Sequence, residues 1–330
     1  MNKPLQMPMF SPETEWVPPL SLPDLKEYSE IAIDLETRDP NLMTMGSGAI
    51  RGDGEVVGIA VAVEGWKGYF PIAHEAGGNM DRALVLDWFE EVLHTPATKI
   101  FHNAMYDVSW IRSLGFQING GIIDTMIASS LVDENRWSFT LDSMSKQYVG
   151  MGKNEKTLAE AAKAWGVNPK AEMWRLPAPL VGEYAERDAE VTLKLWHAMK
   201  HELTQQELWD VFNLETNLFP CLVDMKFKGV RVDLDQAEIL KKDLNKQEKI
   251  IHQKIEKLSG FPIEIYAATS IAKAFDKLKM PYDRTDKGAP SFTKNFLATH
   301  PHELPKLINE AREVNKASST FIDTILKHAH

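Results

Sequence analysis

The stretch Glu30-Ile-Ala-Ile-Asp34-Leu-Glu36 decides the reading of this 330-residue chain. Ile31, Ala32 and Ile33 form an apolar run of the kind that is buried as a strand, and the run ends in acids. Residues i and i+2 of a strand project on the same side, so Asp34 and Glu36 converge at its carboxyl end. Two readings follow. A solvated strand end carries two acids without consequence, and an Asp-x-Glu triplet arises about once by chance in a chain of ordinary composition and this length. Alternatively, two carboxylates held together repel each other, and a divalent cation between them removes that penalty.

Working outward, Glu55–Val63 and Trp66–Ile72 have the β-branched and aromatic content of strands and are joined by the turn Glu64-Gly65. Arg38–Gly54, rich in Gly, Asn and Asp, reads as a loop. Leu84, Leu86, Trp88, Phe89, Val92 and Leu93 recur at helical spacing across Asp81–His94. A strand at Lys99–Phe101, a helix at 104–114 and a strand at Ile122-Ile123 follow, then helices at 124–132, 139–149, 155–165 and 181–203. Three hairpin-type strands followed by strands alternating with helices make an α/β fold, a mixed sheet flanked by helices, and such sheets hold ligands at the carboxyl ends of their strands. Residues 1–23, with six prolines, read as an extended arm, and 168–180 as a loop between helices. Beyond about residue 205 the pattern is mainly helical, with segments at 206–226, 235–258, 269–279, 291–299 and 302–328.

Composition narrows the function classes. The lone cysteine, Cys221, excludes an intramolecular disulfide and a cysteine-rich zinc site, and points to a reducing compartment. No apolar run approaches the roughly 20 residues of a bilayer span, and the N-terminus lacks a basic head followed by an apolar core. A cytoplasmic protein with no membrane partner is expected. The net charge of −10 argues at face value against a nucleic-acid partner. The average conceals a split, with residues 1–222 at −14 and residues 223–330 at +4.

Two further motifs fall where chemistry is expected. In Phe101-His-Asn103-Ala-Met-Tyr-Asp107 a strand enters and a helix leaves, so Asn103 and Asp107 share one turn at the strand's end. An N-capping Asn and a first-turn Asp complementing the helix dipole explain the pair equally well. Tyr184-Ala-Glu-Arg-Asp188 puts a phenol and a carboxylate on one helix face, and Val191 and Leu195 continue that face inward. A carboxylate on a buried face needs a partner, either a basic side chain or a metal ion. Together the three motifs bring four carboxylates, an amide and a phenol to one domain. Hard oxygen ligands without Cys or a His set select Mg²⁺ or Mn²⁺, and four carboxylates around two such ions suit phosphodiester cleavage.

Asp34-Leu-Glu36-Thr37, Asn103-x3-Asp107 and Tyr184-x3-Asp188 resemble the three motifs of the 3′–5′ exonuclease family with four acidic ligands and a tyrosine, in the ribonuclease-H-like fold. Ile123–Leu131 and Phe139-Thr-Leu141 are similar to the stretch between the second and third motifs, and Tyr184–Leu193 resembles the third motif of the proofreading domain of bacterial and phage family A DNA polymerases. Glu215–Asp233 looks like the segment joining exonuclease to polymerase in these enzymes. Arg284–Ser291 and Arg312–Asp323 are similar to elements at the base of their thumb. The polymerase catalytic motifs do not follow, so no polymerase activity is expected from this chain alone. The implied organisation is an arm at 1–27, an exonuclease domain at 28–205 and a helical region at 206–330.

The resemblance implies two divalent cations, with Asp34 bridging both, Glu36 and Asp188 completing one and Asp107 holding the other. It implies that Tyr184, helped by Glu36, orients the attacking water, and that Thr37 and Asn103 contact the terminal nucleotide. His102, counted with them as substrate-binding, stands where the family often has glutamine. The expected activity is release of 5′-mononucleotides from single-stranded or frayed DNA 3′ ends, in a bacterial cell or phage-infected host. An RNase D-like RNA exonuclease and a docking subunit for a separately encoded or removed polymerase domain are the alternatives. Trp88, Trp165 and Trp196 lie in expected helices and read as core. Arg51, Arg136, Lys153, Lys156 and Arg175 are candidates for contacts to a nucleic-acid backbone.

Overall fold

The apolar run at residues 31–33 lies at the centre of a five-stranded sheet. The computed structural model describes residue 8, residues 12–152 and residues 156–329. They divide into two units between Gly229 and Val230. In the first, β1 (Glu30–Arg38) is followed by short helices α1 (Leu42–Met45) and α2 (Gly48–Arg51), then β2 (Glu55–Val63), β3 (Trp66–Pro71), α3 (Arg82–His94), β4 (Thr98–Phe101), α4 (Ala104–Ser113) and β5 (Ile122–Asp124). The unit continues with α5 (Thr125–Val132), α6 (Leu141–Tyr148), α7 (Lys156–Trp165), a 3₁₀ turn (Met173–Arg175), α8 (Pro179–Gln205) and α9 (Trp209–Lys228). The strand order is β3-β2-β1-β4-β5. β1, β2 and β3 pair antiparallel, and β1, β4 and β5 pair parallel, which is the expected mixed sheet.

Strand alternation feeds two cores. Ile31, Ile33 and Leu35 of β1 join Ile59, Val61 and Phe70 beneath α3 and α4, whose Val85, Phe89, Val108 and Ile111 close that layer. On the other face Ala32, Ala60 and Ala62 meet Ala185 and Ala189 of α8, together with Ala128 and Met144 of α5 and α6. Trp88, Trp165 and Trp196 are buried, as their helical positions imply. α9 stays with the first unit, because Phe212 enters the second of these cores while Phe219 and Val223 enter the first. The compact unit therefore includes the first helix after residue 205, the point at which the sequence pattern becomes mainly helical. Arg112 of α4 reinforces this docking through an ion pair with Asp224 and by lying 4.4 Å over the Phe227 ring.

The expected loop at Arg38–Gly54 contains α1 and α2, organised around the largely covered side chain of Arg51, which pairs with Asp39 at 3.7 Å and with Asp53. Residues 12–27 of the arm carry neither helix nor strand. Trp16 nonetheless sits on α8, with its indole Nε1 donating to Glu186 at 2.8 Å and its ring where a Cβ on Gly182 would lie. Among the described residues, no helix is long and apolar enough to cross a membrane.

The second unit consists of α10 (Leu234–Ser259), α11 (Ala268–Lys277), a two-residue hairpin pair β6 (Asp283–Arg284) and β7 (Pro290–Ser291), α12 (Lys294–Thr299), α13 (Glu303–Asn315), a π-helical stretch (Lys316–Ile322) and α14 (Asp323–His328). Ile251, Ile255, Phe275, Leu304 and Ile308 form its core. The single helix expected over 302–328 is interrupted by the π stretch. At this widening the side chains of Asn315 and Ser318 bond Glu248 and Asn245 of α10 at 2.9 and 3.0 Å.

Two close fits in the sheet are testable. Gly58 faces Tyr69, and a Cβ there would come within 2.0 Å of the buried hydroxyl, so Gly58→Ala is expected to destabilise the chain by about 1–3 kcal/mol in chemical denaturation. That hydroxyl is 2.7 Å from Nε2 of His74, whose Nδ1 lies 2.9 Å from the Leu176 carbonyl. A carbonyl only accepts, so Nδ1 carries the proton and Nε2 accepts from Tyr69. Burial pushes the His74 imidazole down to about 4, well below its usual value near 6.5. Unfolding therefore takes up a proton between those values, and stability present above pH 6.5 is lost as pH falls towards 4. Wild type is expected to lose about 3 kcal/mol more than His74→Gln over that interval, measured as the difference in unfolding free energy with pH.

Candidate active site

At the carboxyl end of β1 the pairing slips. Glu36 stands opposite Gly58 and Thr37 opposite Val56, so β2 carries one extra residue, and Val56 reaches the same core as Ile59 in spite of the three-residue spacing. The bulge follows Glu36 directly and leaves Asp34 and Glu36 on the face turned towards α8. Tyr184 and Asp188 occupy successive turns of that helix, and the Tyr184 hydroxyl is hydrogen-bonded to the Asp188 carboxylate. All four side chains line one cleft of about 640 Å³. Thr37, His102 and Asn103 line it too, and Met126, Asp142 and Lys170 add to its wall.

Asp107 lies behind this wall. It is 4% exposed, and its Oδ1 accepts from the backbone N–H of Leu35 at 2.9 Å, between the two acids of β1. Asn103 occupies the N-cap position of α4 with a left-handed backbone, φ 67 and ψ 52, and makes no capping bond through its own side chain. The cap comes from Asp124, whose two carboxylate oxygens accept from the N–H groups of Asn103 and Ala104 at 2.9 and 2.8 Å. Asp124 also accepts from Met126 N–H at 2.9 Å, so one buried carboxylate caps both α4 and α5. The Asn103 amide is left at the surface of the cleft rather than spent on its own helix.

The Thr37 hydroxyl is 2.5 Å from that of Tyr106, another cleft residue. Both ring nitrogens of His102 are bonded within the protein: Nε2 is 2.9 Å from the Phe139 carbonyl and Nδ1 is 2.8 Å from Thr125 Oγ1. The ring thereby ties the end of β4 to the start of α5 and to the lead-in of α6. Asp124 and Tyr106 were not singled out from sequence. An Asp-Thr pair opening a helix is a capping signal, and Tyr106 sits inside the Asn103–Asp107 turn, whereas nothing in the sequence marks Lys170.

Negative charge dominates the electrostatics. Burial, and then the charge of Asp34, push the Asp107 carboxyl well above the usual carboxylate range. Burial pushes the Tyr184 phenol up strongly, and Asp188, Glu36 and Asp34 add to the shift. Tyr69, under the sheet face, is raised by burial and by Glu36 and Asp34. Among the described residues, no three His, Cys, Asp or Glu side chains are gathered tightly enough to make a ready ion cage. The donor set still fits a hard divalent cation, since carboxylates that raise one another's proton affinity in a buried setting are stabilised by positive charge between them.

The family model for the 3′–5′ exonuclease of DNA polymerase A matches residues 21–204, which span all of these side chains. A DNA-directed DNA polymerase of Pseudomonas phage M6 is 32% identical over 98% of this chain, which covers 50% of that protein. DNA polymerase I of Pseudomonas aeruginosa is 28% identical over 92% of this chain and is covered to 33%. The chain thus spans half or less of the length of these relatives. In structure, the POL domain of Pol1 from M. smegmatis, in complex with DNA primer-template and dNTP, matches 91% of this chain with a TM-score of 0.67 at 18% identity, a likeness of fold. With the family match spanning more than half of the chain and every acid of the site, the protein belongs to the 3′–5′ exonuclease family of family A DNA polymerases.

Proposed function

We propose that this protein hydrolyses the terminal phosphodiester of single-stranded or frayed DNA 3′ ends, releasing nucleoside 5′-monophosphates, and that it proofreads alongside a polymerase region. The observation that carries this reading is the shared cleft of Asp34, Glu36, Tyr184 and Asp188, with Asp107 buried behind it. Mg²⁺ or Mn²⁺ held by Asp34, Glu36, Asp107 and Asp188 would supply charge stabilisation at the scissile phosphate and lower the pKa of water there.

The chain's own residues do the positioning. The Tyr184 hydroxyl donates its hydrogen bond to the Asp188 carboxylate, and its raised pKa keeps the phenol neutral at any physiological pH. Its oxygen lone pairs are then available to accept from a water and aim it at phosphorus. Glu36, across the cleft on β1, accepts a hydrogen bond from the second O–H of that water. Asn103 and Thr37, at the cleft surface, hold the terminal sugar. His102, on the cleft wall beside them, ties the Phe139 segment to Thr125 through its two ring bonds.

The test is release of labelled mononucleotide from a single-stranded DNA oligonucleotide, run beside an RNA oligonucleotide of the same sequence. Asp34→Ala and Asp188→Ala are each expected to lower the rate by at least about 10²- to 10³-fold, and Tyr184→Phe by about 10²-fold, with thermal midpoints close to wild type. Removal of divalent ions with EDTA is expected to abolish release, and re-addition of Mn²⁺ or Mg²⁺ to restore it. Full activity in either Asp variant would overturn the assignment. Faster digestion of RNA would replace the substrate.

A further inference from the structure

The proposed substrate is a polyanion, yet it must approach a cleft lined by Asp34, Glu36, Asp142 and Asp188. Divalent cations held by the carboxylates would act at the bond that breaks, and the rest of the strand needs positive charge from the protein. Most of the basic side chains that the sequence offers for this task are already committed. The Arg175 side chain is 6% exposed, with Nε donating to Glu75 at 2.9 Å and Nη1 to Glu172 at 3.3 Å. Arg51 is 5% exposed and paired with Asp39 and Asp53. Arg136 is bonded to Gln147 and, at 3.2 Å, to Ser143. Lys153 lies outside the described residues, and Lys156 is not part of the cleft wall.

Among the described residues lining the cleft, one cation remains, Lys170. Its backbone is held in place. Asn168 Oδ1 accepts from the N–H groups of Lys170 and Ala171 at 2.9 and 3.0 Å, and the Glu172 N–H donates to the Asn168 carbonyl at 2.8 Å. The same segment is pinned to the loop after β3 by the Arg175–Glu75 pair, by the Glu75 N–H to Trp174 carbonyl bond at 2.9 Å and by His74 to Leu176. A fixed backbone therefore presents an exposed, flexible ammonium at the rim of an acidic cleft.

We infer that Lys170 is the side chain with which this cleft binds a backbone phosphate of the incoming 3′ strand. The inference rests on the nuclease reading above, and it concerns binding rather than bond cleavage. An ammonium is a compact point charge that follows a mobile phosphate without demanding bidentate geometry, which suits a strand advancing one nucleotide at a time.

The decisive measurement is equilibrium binding of a fluorescein-labelled oligothymidylate by anisotropy, in EDTA so that no hydrolysis occurs, over a salt series. Lys170→Gln is expected to weaken binding about tenfold and to reduce the salt slope by about 0.7, the value for one phosphate contact on a single strand. Lys170→Arg should keep both. Lys163→Gln, an exposed lysine of α7 outside the cleft wall, should also leave both unchanged. With divalent ions restored, Lys170→Gln should raise KM with little change in kcat. Unchanged affinity and slope in Lys170→Gln would overturn the inference, as would an equal loss in Lys163→Gln. A wild type that binds the oligonucleotide but releases no mononucleotide would instead overturn the nuclease reading, leaving Lys170 to be judged by the slope alone.

Discussion

Carboxylates from a strand and from a helix share one cleft only if the helix lies close against the sheet, and here small side chains on both surfaces permit that approach. Ala32, Ala60 and Ala62 cover the sheet face, and Ala185 and Ala189 cover the facing stripe of α8. Gly58 completes the pattern beside Glu36, and its missing side chain leaves room for the Tyr69 ring. Larger side chains at these positions would lift α8 away and separate Asp188 and Tyr184 from the acids of β1. The packing of apolar residues thus sets the geometry of polar ones. The bulge in β2 and the seat of Trp16 on Gly182 act on the same contact, one at the strand end and the other on the outer part of the helix.

The second constraint is electrostatic. Asp107 is buried and held by the Leu35 N–H, and its proton affinity rises because burial disfavours its charged form and Asp34 is near. In a core chosen only for stability such an arrangement is costly, because a buried charge without a compensating one destabilises the fold. Asp124 shows the contrast. It is also buried and also raised by desolvation, but three backbone N–H groups from the starts of two helices offset that burial. One acid is satisfied by the fold, and the other is tied to a second acid. That difference separates a carboxylate held by the fold from one that the proposed function assigns to a cation.

Much of the first unit was legible in the sequence because its signals are local and strong. The alternation of Ile31, Ile33 and Leu35 against Ala32, Asp34 and Glu36 gives both the strand and its two faces, and the i, i+4 spacing gives the pairing of Tyr184 with Asp188. Less legible were features set by tertiary contact. The end of the first unit at Gly229 depends on α9 sending Phe212, Phe219 and Val223 into two cores, which the change to a mainly helical pattern near residue 205 does not mark and the change in net charge near residue 222 approaches more closely. The π stretch within 302–328 preserves a helical hydrophobic pattern, so periodicity alone reads through it. Asn103 was legible as a helix start, yet its capping bonds come from Asp124, twenty-one residues along the chain.

That last substitution of roles bears on how the cleft works. An Asn that caps its own helix points its side chain at the backbone; with Asp124 supplying the cap, Asn103 adopts a left-handed conformation instead. A left-handed backbone at a non-glycine residue carries strain of order 1 kcal/mol, and such strain persists where the surroundings fix it. Here the surroundings are two hydrogen bonds donated by the Asn103 and Ala104 N–H groups to one buried carboxylate. The carboxylates of the site sit on β1, α4 and α8, where regular backbone holds them rigidly. The groups proposed to face a ligand, Asn103, Thr37 and Lys170, sit at a strained cap, a strand end and a pinned loop. Regular backbone thereby places the carboxylates, and irregular backbone held by buried hydrogen bonds and an ion pair places Asn103 and Lys170 at the cleft.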